Sequence, residues 1–160
     1  MNYYIVHDTP IGELVLEANF DRLIKISFNR KHLTQVKSCS QKKNLILEKT
    51  VEQLDEYFFN NRKIFTIKYL LNTTCFFKKV LEEVSLIKFG KVKSYKQIAN
   101  ILKNKNAYRA VANANAQNPL PIIIPCHRVI RSSGDIGGYR GGIINKKYLL
   151  SFENKTDSFF

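Results

Sequence analysis

The hydrophobic period changes from two to that of a helix within the first sixty residues of this chain, and the change limits the folds open to it. Through residues 3–28, apolar and polar positions alternate in the period of two that a half-buried strand requires. Tyr3-Tyr4-Ile5-Val6 leads to a turn at Asp8-Thr9-Pro10. Gly12-Glu13-Leu14-Val15-Leu16-Glu17-Ala18 and Leu23-Ile24-Lys25-Ile26-Ser27-Phe28 read as two further strands. Residues 29–43 are polar and basic and read as a loop. Over residues 44–60 the spacing turns helical, with Ile46, Leu47, Val51, Leu54 and Phe58 on one face. The β-branched stretch Ile64-Phe65-Thr66-Ile67 is expected to return as a strand. Strands followed by helices, rather than alternating with them, give an α+β fold.

The second half is expected to be mostly helical. Phe76, Val80, Leu81, Val84 and Ile87 mark a helix stopped by Gly90. Ser94 stands at the N-cap position before Tyr95-Lys96-Gln97-Ile98-Ala99-Asn100-Ile101-Leu102. Lys103-Asn104-Lys105-Asn106 makes a turn, and a short helix from about Ala107 to Ala116 follows; the pair is compatible with helix-turn-helix geometry. Asn118-Pro119 ends the second helix. Ile122-Ile123-Ile124 is too short to separate a buried strand from a loop. Gly134, Gly137, Gly138, Gly141 and Gly142 form a glycine-rich loop, and Asn145 to Glu153 reads as a closing helix. The expected organisation is an N-terminal sheet-plus-helix domain over residues 1–72 and a second domain over residues 73–160.

Charge and cysteine usage narrow the classes of function. The chain carries 26 Lys+Arg against 13 Asp+Glu, a formal net charge of +13 in 160 residues, which favours a polyanionic partner. Lysine spread over a surface also solubilises, so charge alone does not assign nucleic acid. No apolar run of about 18 residues is present, so no membrane span is expected, and the first residues lack a signal-peptide pattern. The location read from this is cytoplasmic. Cys39, Cys75 and Cys126 lie far apart, with no zinc-ligand spacing, so no metal is expected and the thiols are read as reduced. Neither a phosphate loop nor a dinucleotide fingerprint occurs, so no cofactor is expected either.

Only Cys126 has a chemical neighbourhood. It closes the run Asn118-Pro119-Leu120-Pro121-Ile122-Ile123-Ile124-Pro125 and precedes His127, Arg128 and Val129. Thiolate is the reactive form, and a nearby base or cation favours it. On extended backbone the imidazole would point away from the sulfur, so a bridging water would carry the proton. Glu153, on a helix able to return to this loop, is the candidate for orienting His127. Arg109 opens the second short helix and is placed to reach phosphate or a groove. Ala110, Ala112, Ala114 and Ala116 would permit close approach to a bulky surface, although alanines also simply form helix.

These pieces, in this order, resemble the O6-alkylguanine-DNA alkyltransferases. Thr9-Pro10-Ile11-Gly12 with Leu14 looks like that family's opening hairpin. Gly90 to Ala99 resembles the entry to its helix-turn-helix, and Arg109-Ala110-Val111 the start of its recognition helix. Asn118 to Val129 matches its reactive-cysteine block. Ser133-Gly134, Gly138-Tyr139 and Gly141-Gly142 look like its substrate loop, and Leu149-Leu150-Ser151-Phe152-Glu153 its terminal active-site helix. The resemblance is strong from about Phe76 to Glu153.

It implies that residues 73–160 bind DNA and transfer the alkyl group. Cys126 would be the acceptor, His127 a base acting through water and Glu153 its orienting group. Tyr95 would donate to guanine N3, Asn118 would brace the active-site turn, and Arg109 would replace the extruded base. The carbonyls of Cys126 and Val129 would receive the guanine amino group, and the backbone N–H at Arg140 would face O6. Ser94, Ala110, Ala112, Arg128 and Tyr139 would complete the DNA and substrate surface. The implied partner is double-stranded DNA containing O6-alkylguanine, bound by a monomer through the minor groove with the base flipped. The protein would sit on the nucleoid when so bound. Departures from the family pattern are Ala112 and Asn113 in place of glycines, and Cys75, Phe77 and Lys88 where other residues are common. Two alternatives stand beside this. A lesion-recognition protein without transfer would carry another residue at position 126. A cysteine hydrolase would need a histidine elsewhere, and His7 and His32 have no supporting context.

Overall fold

The structure is a computed structural model that describes residues 2–29, 39–41 and 44–157. The chain divides into two compact units, Met1–Leu71 and Asn72–Phe160. The first holds a four-stranded sheet of order β3-β2-β1-β4. Strands β1 (Asn2–Thr9) and β2 (Gly12–Ala18) pair antiparallel from Thr9↔Gly12 to Tyr3↔Ala18. The hairpin closes because Gly12 takes φ 101°, a region that disfavours side chains, while the Thr9 hydroxyl donates to its carbonyl at 2.7 Å. Strand β3 (Leu23–Ser27) continues the sheet antiparallel to β2. On the other edge, β4 (Cys39–Gln41) lies parallel to β1, a strand inside the stretch expected to be loop. The rest of that expected loop, residues 30–38 with His32 and residues 42–43, lies outside the described residues.

Helix α1 (Leu45–Phe59) packs on this sheet through Leu47, Leu54, Tyr57 and Phe58, all buried. Its N-cap is Asn44, whose side chain accepts from Leu47 N at 2.9 Å and donates to Asn19 O at 2.7 Å. Residues 64–67 do not form the expected strand. The Thr66 amide donates to Gln53 Oε1 and its hydroxyl accepts from Gln53 Nε2, both at 2.8 Å, so helix α1 satisfies groups a sheet ladder would have used. Past this point Tyr69 bridges to the sheet at Leu23. His7 meets Asp55 of α1 at 2.7 Å, a structural contact within this unit.

The second unit opens with α2 (Cys75–Ser85), which ends well before Gly90. Gly90, at φ 72°, serves the turn that follows instead of the helix stop. The two-residue strands β5 (Lys93–Ser94) and β6 (Val129–Ile130) pair in parallel. Ser94 forms a full capping box with Gln97 at the start of α3 (Tyr95–Ile101). A 3-10 turn at Lys105–Ala107 leads into α4 (Tyr108–Ala116), which packs on α2 and α3. Helix α5 (Ile143–Asp157) closes the unit. The isoleucine run is a turn, not a strand, with Ile122 at φ 73° and Ile124 N bonded to Leu120 O at 2.8 Å. A β-branched residue in that region is strained and persists only where its surroundings hold it. None of the described helices is long and apolar enough to cross a membrane.

Candidate active site

The turn that carries Cys126 is held from both sides by asparagines. Asn118 donates to Ile124 O at 2.8 Å and accepts from Leu120 N at 3.0 Å, spanning the strained isoleucine turn. Asn115, on the buried face of α4, donates to the Cys126 carbonyl at 3.2 Å. Cys126 to Arg128 form a 3-10 turn rather than the extended backbone expected, with Cys126 N bonded to Ile124 O at 2.8 Å. The thiol is 4% exposed. Burial pushes its pKa up, and the Asn118 side chain, the Lys146 charge and neighbouring backbone amides pull against that.

Beside it, His127 is fully buried, with Nε2 at 2.7 Å from Glu153 Oε1. Nδ1 of the same ring meets no hydrogen-bonding partner among the described residues. Burial lowers the His127 pKa, opposed by the bond and charge of Glu153, so the ring is held neutral. Glu153 reaches this point because α5 turns its buried face inward. Burial raises its pKa, but His127 and Arg128 outweigh that and bring it from 4.5 down to about 2. Arg128 donates to Glu153 through Nε and Nη2, both at 2.9 Å, and through Nη1 to Ile87 O at 2.6 Å. The expectation that Arg128 contacts DNA is therefore corrected: the guanidinium is buried, with two of its donors on Glu153 and one on the Ile87 carbonyl.

Tyr95, half-buried at the start of α3, has its hydroxyl among Cys126, Asn115, Arg131 and Gly137. A Cβ on Gly137 would stand 3.4 Å from that oxygen, and its φ of 74° also disfavours one, so the glycine loop comes this close only without a side chain. Burial raises the Tyr95 pKa, and the Cys126 charge raises it further, against Arg131 and Asn115. The Tyr139 hydroxyl, from the same loop, is buried; its pKa is well above the ordinary value, first through burial and then through the Cys126 charge. Arg140 is exposed in the turn before α5.

Two carbonyls at the cysteine turn carry bonds within the protein. The Cys126 oxygen accepts from Asn115 Nδ2 at 3.2 Å and from Val129 N. The Val129 oxygen accepts from Lys146 Nζ at 2.7 Å.

Asn115, Lys146 and Arg131 are site residues that sequence reading missed. Lys146 is 0% exposed; besides Val129 O it donates to Gly138 O at 3.3 Å, tying the glycine loop to the cysteine turn. Burial lowers its pKa from 10.5 to about 8, against the pull of Cys126. Helical spacing could have found two of the three. Asn115 repeats with Val111 and Ala114, and Lys146 with Leu149 and Glu153, each set on one buried face.

Away from the cysteine, Arg109 and Ala110 are exposed at the first turn of α4, Ala112 is half-buried, and Ala114 belongs to the core rather than to an approach surface. Arg109 and Lys96 both lie over the Tyr108 ring, at 5.7 and 5.8 Å from its centre. The Ser94 hydroxyl accepts from Gln97 N at 3.1 Å, leaving its proton and one lone pair for a ligand. Among the described residues, no three His, Cys, Asp or Glu side chains are grouped to hold a metal.

Comparison with known proteins gives two family matches. The 6-O-methylguanine DNA methyltransferase ribonuclease-like domain matches residues 2–71, and the DNA binding domain of the same name matches residues 75–155. A constitutive methylated-DNA–protein-cysteine methyltransferase of Bacillus subtilis is 35% identical over 158 residues, covering 96% of each chain. One from Methanosarcina barkeri is also 35% identical, over 96% of this chain and 98% of its own. Among solved structures, Mycobacterium tuberculosis OGT in complex with DNA superposes with a TM-score of 0.87 at 33% identity, over 96% of this chain and 94% of that one. The O6-methylguanine-DNA methyltransferase of Pyrococcus kodakaraensis gives 0.67 at 27% identity, over 96% of this chain and 99% of that one.

Proposed function

The chain belongs to the 6-O-methylguanine DNA methyltransferase family, and from that premise we propose that it moves the alkyl group of O6-alkylguanine in DNA onto its own Cys126, once per molecule. It is a methylated-DNA–protein-cysteine methyltransferase, and DNA is its partner. The observation that carries the cysteine assignment is the buried relay. Cys126 precedes a histidine whose Nε2 is fixed by Glu153 and whose Nδ1 is left for a proton.

At rest the buried thiol keeps its proton, so the nucleophile is made in place. Nδ1 of His127 takes that proton through a bridging water, and Glu153 balances the imidazolium. The thiolate attacks the alkyl carbon in line. The S–C bond forms as the C–O6 bond breaks, and the electron pair stays with the guanine. Tyr95, whose raised pKa keeps its proton, donates a hydrogen bond to N3 and stabilises the departing anion. The proton taken up by His127 equals the one this anion needs, so the step balances without another acid. The thioether offers no good leaving group, so the protein does not turn over.

The base leaves the duplex to reach the sulfur, which costs a few kcal/mol of stacking and pairing. Helix α4 enters the minor groove with Arg109 at its leading edge, where the guanidinium fills the gap left in the stack. The protein acts as a monomer. Recognition without transfer is disfavoured, because a binding-only protein has no use for Cys126 and its proton relay. The test is intact mass with peptide mapping after mixing with excess duplex containing one O6-methylguanine. One methyl on Cys126, stopping at one equivalent, is expected; tight lesion binding with no mass gain would reverse the assignment.

A further inference from the structure

Arg131 stands beside the site with its charge unspent, and the register of a short ladder puts it there. Strands β5 and β6 pair Lys93 with Val129 and Ser94 with Ile130. The next residues along the two strands are Tyr95 and Arg131, so these leave the ladder side by side. The following loop fixes the arginine's backbone: its N–H donates to Asp135 O at 2.9 Å, and its carbonyl accepts from Gly134 N at 3.0 Å. A Cβ on Gly137 would lie 3.4 Å from the Tyr95 hydroxyl and 3.6 Å from Arg131 Cγ, so both side chains flank one glycine. The Arg131 charge acts on that hydroxyl. Three residues earlier, Arg128 is buried and paired with Glu153. Arg131 is exposed, and no carboxylate pairs with it among the described residues. Asp135 offers it a backbone carbonyl, while the Asp135 carboxylate accepts from the Ser133 hydroxyl at 2.8 Å.

Resting on the functional reading above, we propose that Arg131 binds a backbone phosphate of the flipped nucleotide and so holds the alkylated base against Cys126. The argument is one of adjacency. In a purine nucleotide, N3 and N9 are bonded to the same ring carbon, and N9 carries the sugar. With Tyr95 at N3, the sugar and its flanking phosphates lie on the Tyr95 side of the base, where Arg131 stands. The base must enter far enough to meet a buried thiol, whereas the charged phosphates stay in water at the rim. An exposed guanidinium suits that rim, because its fork of donors matches a pair of phosphate oxygens. Such a contact fixes where the nucleotide sits and carries no information about the base. Arg131 is thus a positioning residue: it takes no part in the bond changes at sulfur and O6.

The experiment measures single-turnover methyl transfer, at subsaturating protein and low salt, from a duplex containing one O6-methylguanine. Two further duplexes carry a neutral methylphosphonate in place of the phosphate on one side of the lesion or the other. The wild-type protein is expected to be slowed about three- to tenfold by one of these replacements, the worth of one charge-assisted contact at an exposed site. Arg131→Met keeps an unbranched stem beside Gly137 but loses the charge. It is expected to be slowed by a similar factor on the unmodified duplex and to be indifferent, within about twofold, to that methylphosphonate. Arg131→Lys keeps a charge and is expected to keep part of the sensitivity. Each sensitivity is a ratio read within one protein, so a general loss of activity cancels. Arg131→Ala replaces the methionine variant if that protein does not fold. A wild-type protein indifferent to both methylphosphonates overturns the proposal, and so does an Arg131→Met protein that keeps the full sensitivity. Methyl transfer from none of the duplexes by the wild-type protein removes the functional reading itself; equal transfer from all three removes only the role of Arg131.

Discussion

Glu153 is shared by more groups than any other side chain at the site: His127, Arg128 through two nitrogens, and Gly90 N at 3.3 Å. Glu153→Gln keeps the size but removes the charge and turns an amide donor toward the guanidinium. Breaking one side of a buried pair costs about 3–5 kcal/mol, and loss of an oriented base about 10²-fold or more in rate. Urea unfolding and single-turnover transfer are expected to show both losses; a variant as stable and as fast as wild type would remove Glu153 from the mechanism. The same carboxylate sets an acid limit. Its folded pKa of about 2 lies below the ordinary 4.5, so between those values the unfolded chain binds more protons than the folded one. Its stabilising contribution is complete above that window and is lost as pH falls through it. Urea midpoints of wild type between pH 5.5 and 2.5 are expected to fall more steeply than those of Glu153→Gln.

Elements place these side chains, and their ends matter more than their middles. The capping box of Ser94 and Gln97 fixes where α3 begins, and so where Tyr95 stands beside the cysteine turn. Ser94→Ala is expected to cost about 1 kcal/mol in urea unfolding and to slow transfer, since Tyr95 follows directly. Unchanged stability would mean that the β5–β6 pairing alone sets the helix start. Helix α4 has two faces with different work: Val111, Ala114 and Asn115 are buried, while Arg109 and Ala110 are exposed. Arg109→Ala is expected to slow repair of duplex DNA more than reaction with free O6-benzylguanine, because only the duplex leaves a gap to fill. Equal slowing would remove the extrusion role. The sheet and helix elements were largely legible from period and caps, as the capping box before α3 illustrates. Residues 64–67 were not, because β-branching cannot reveal that Gln53 would satisfy Thr66. Neither was β4, a three-residue strand in a polar stretch whose pairing to β1 leaves no local pattern.

For the whole molecule, the net charge of +13 sets how DNA is met before any base is read. Affinity for undamaged duplex is expected to fall at least about tenfold between roughly 50 and 200 mM salt, with a log–log slope of about −0.9 per phosphate contacted. A flat titration would assign the lysines to solubility alone. The sequence by itself determined the α+β order, the reactive block around Cys126 and the family, because period, caps and a contiguous motif are local properties of the chain. It also carried Glu153 and Tyr95 as candidates. Tertiary structure alone decided how these groups are used. It turned Arg128 inward to neutralise Glu153, buried Lys146 against two carbonyls and set Asn115 between Cys126 and Tyr95. Each of these depends on groups far apart in sequence meeting where water is excluded. There a charge must find a partner, and no local pattern specifies which residues will meet.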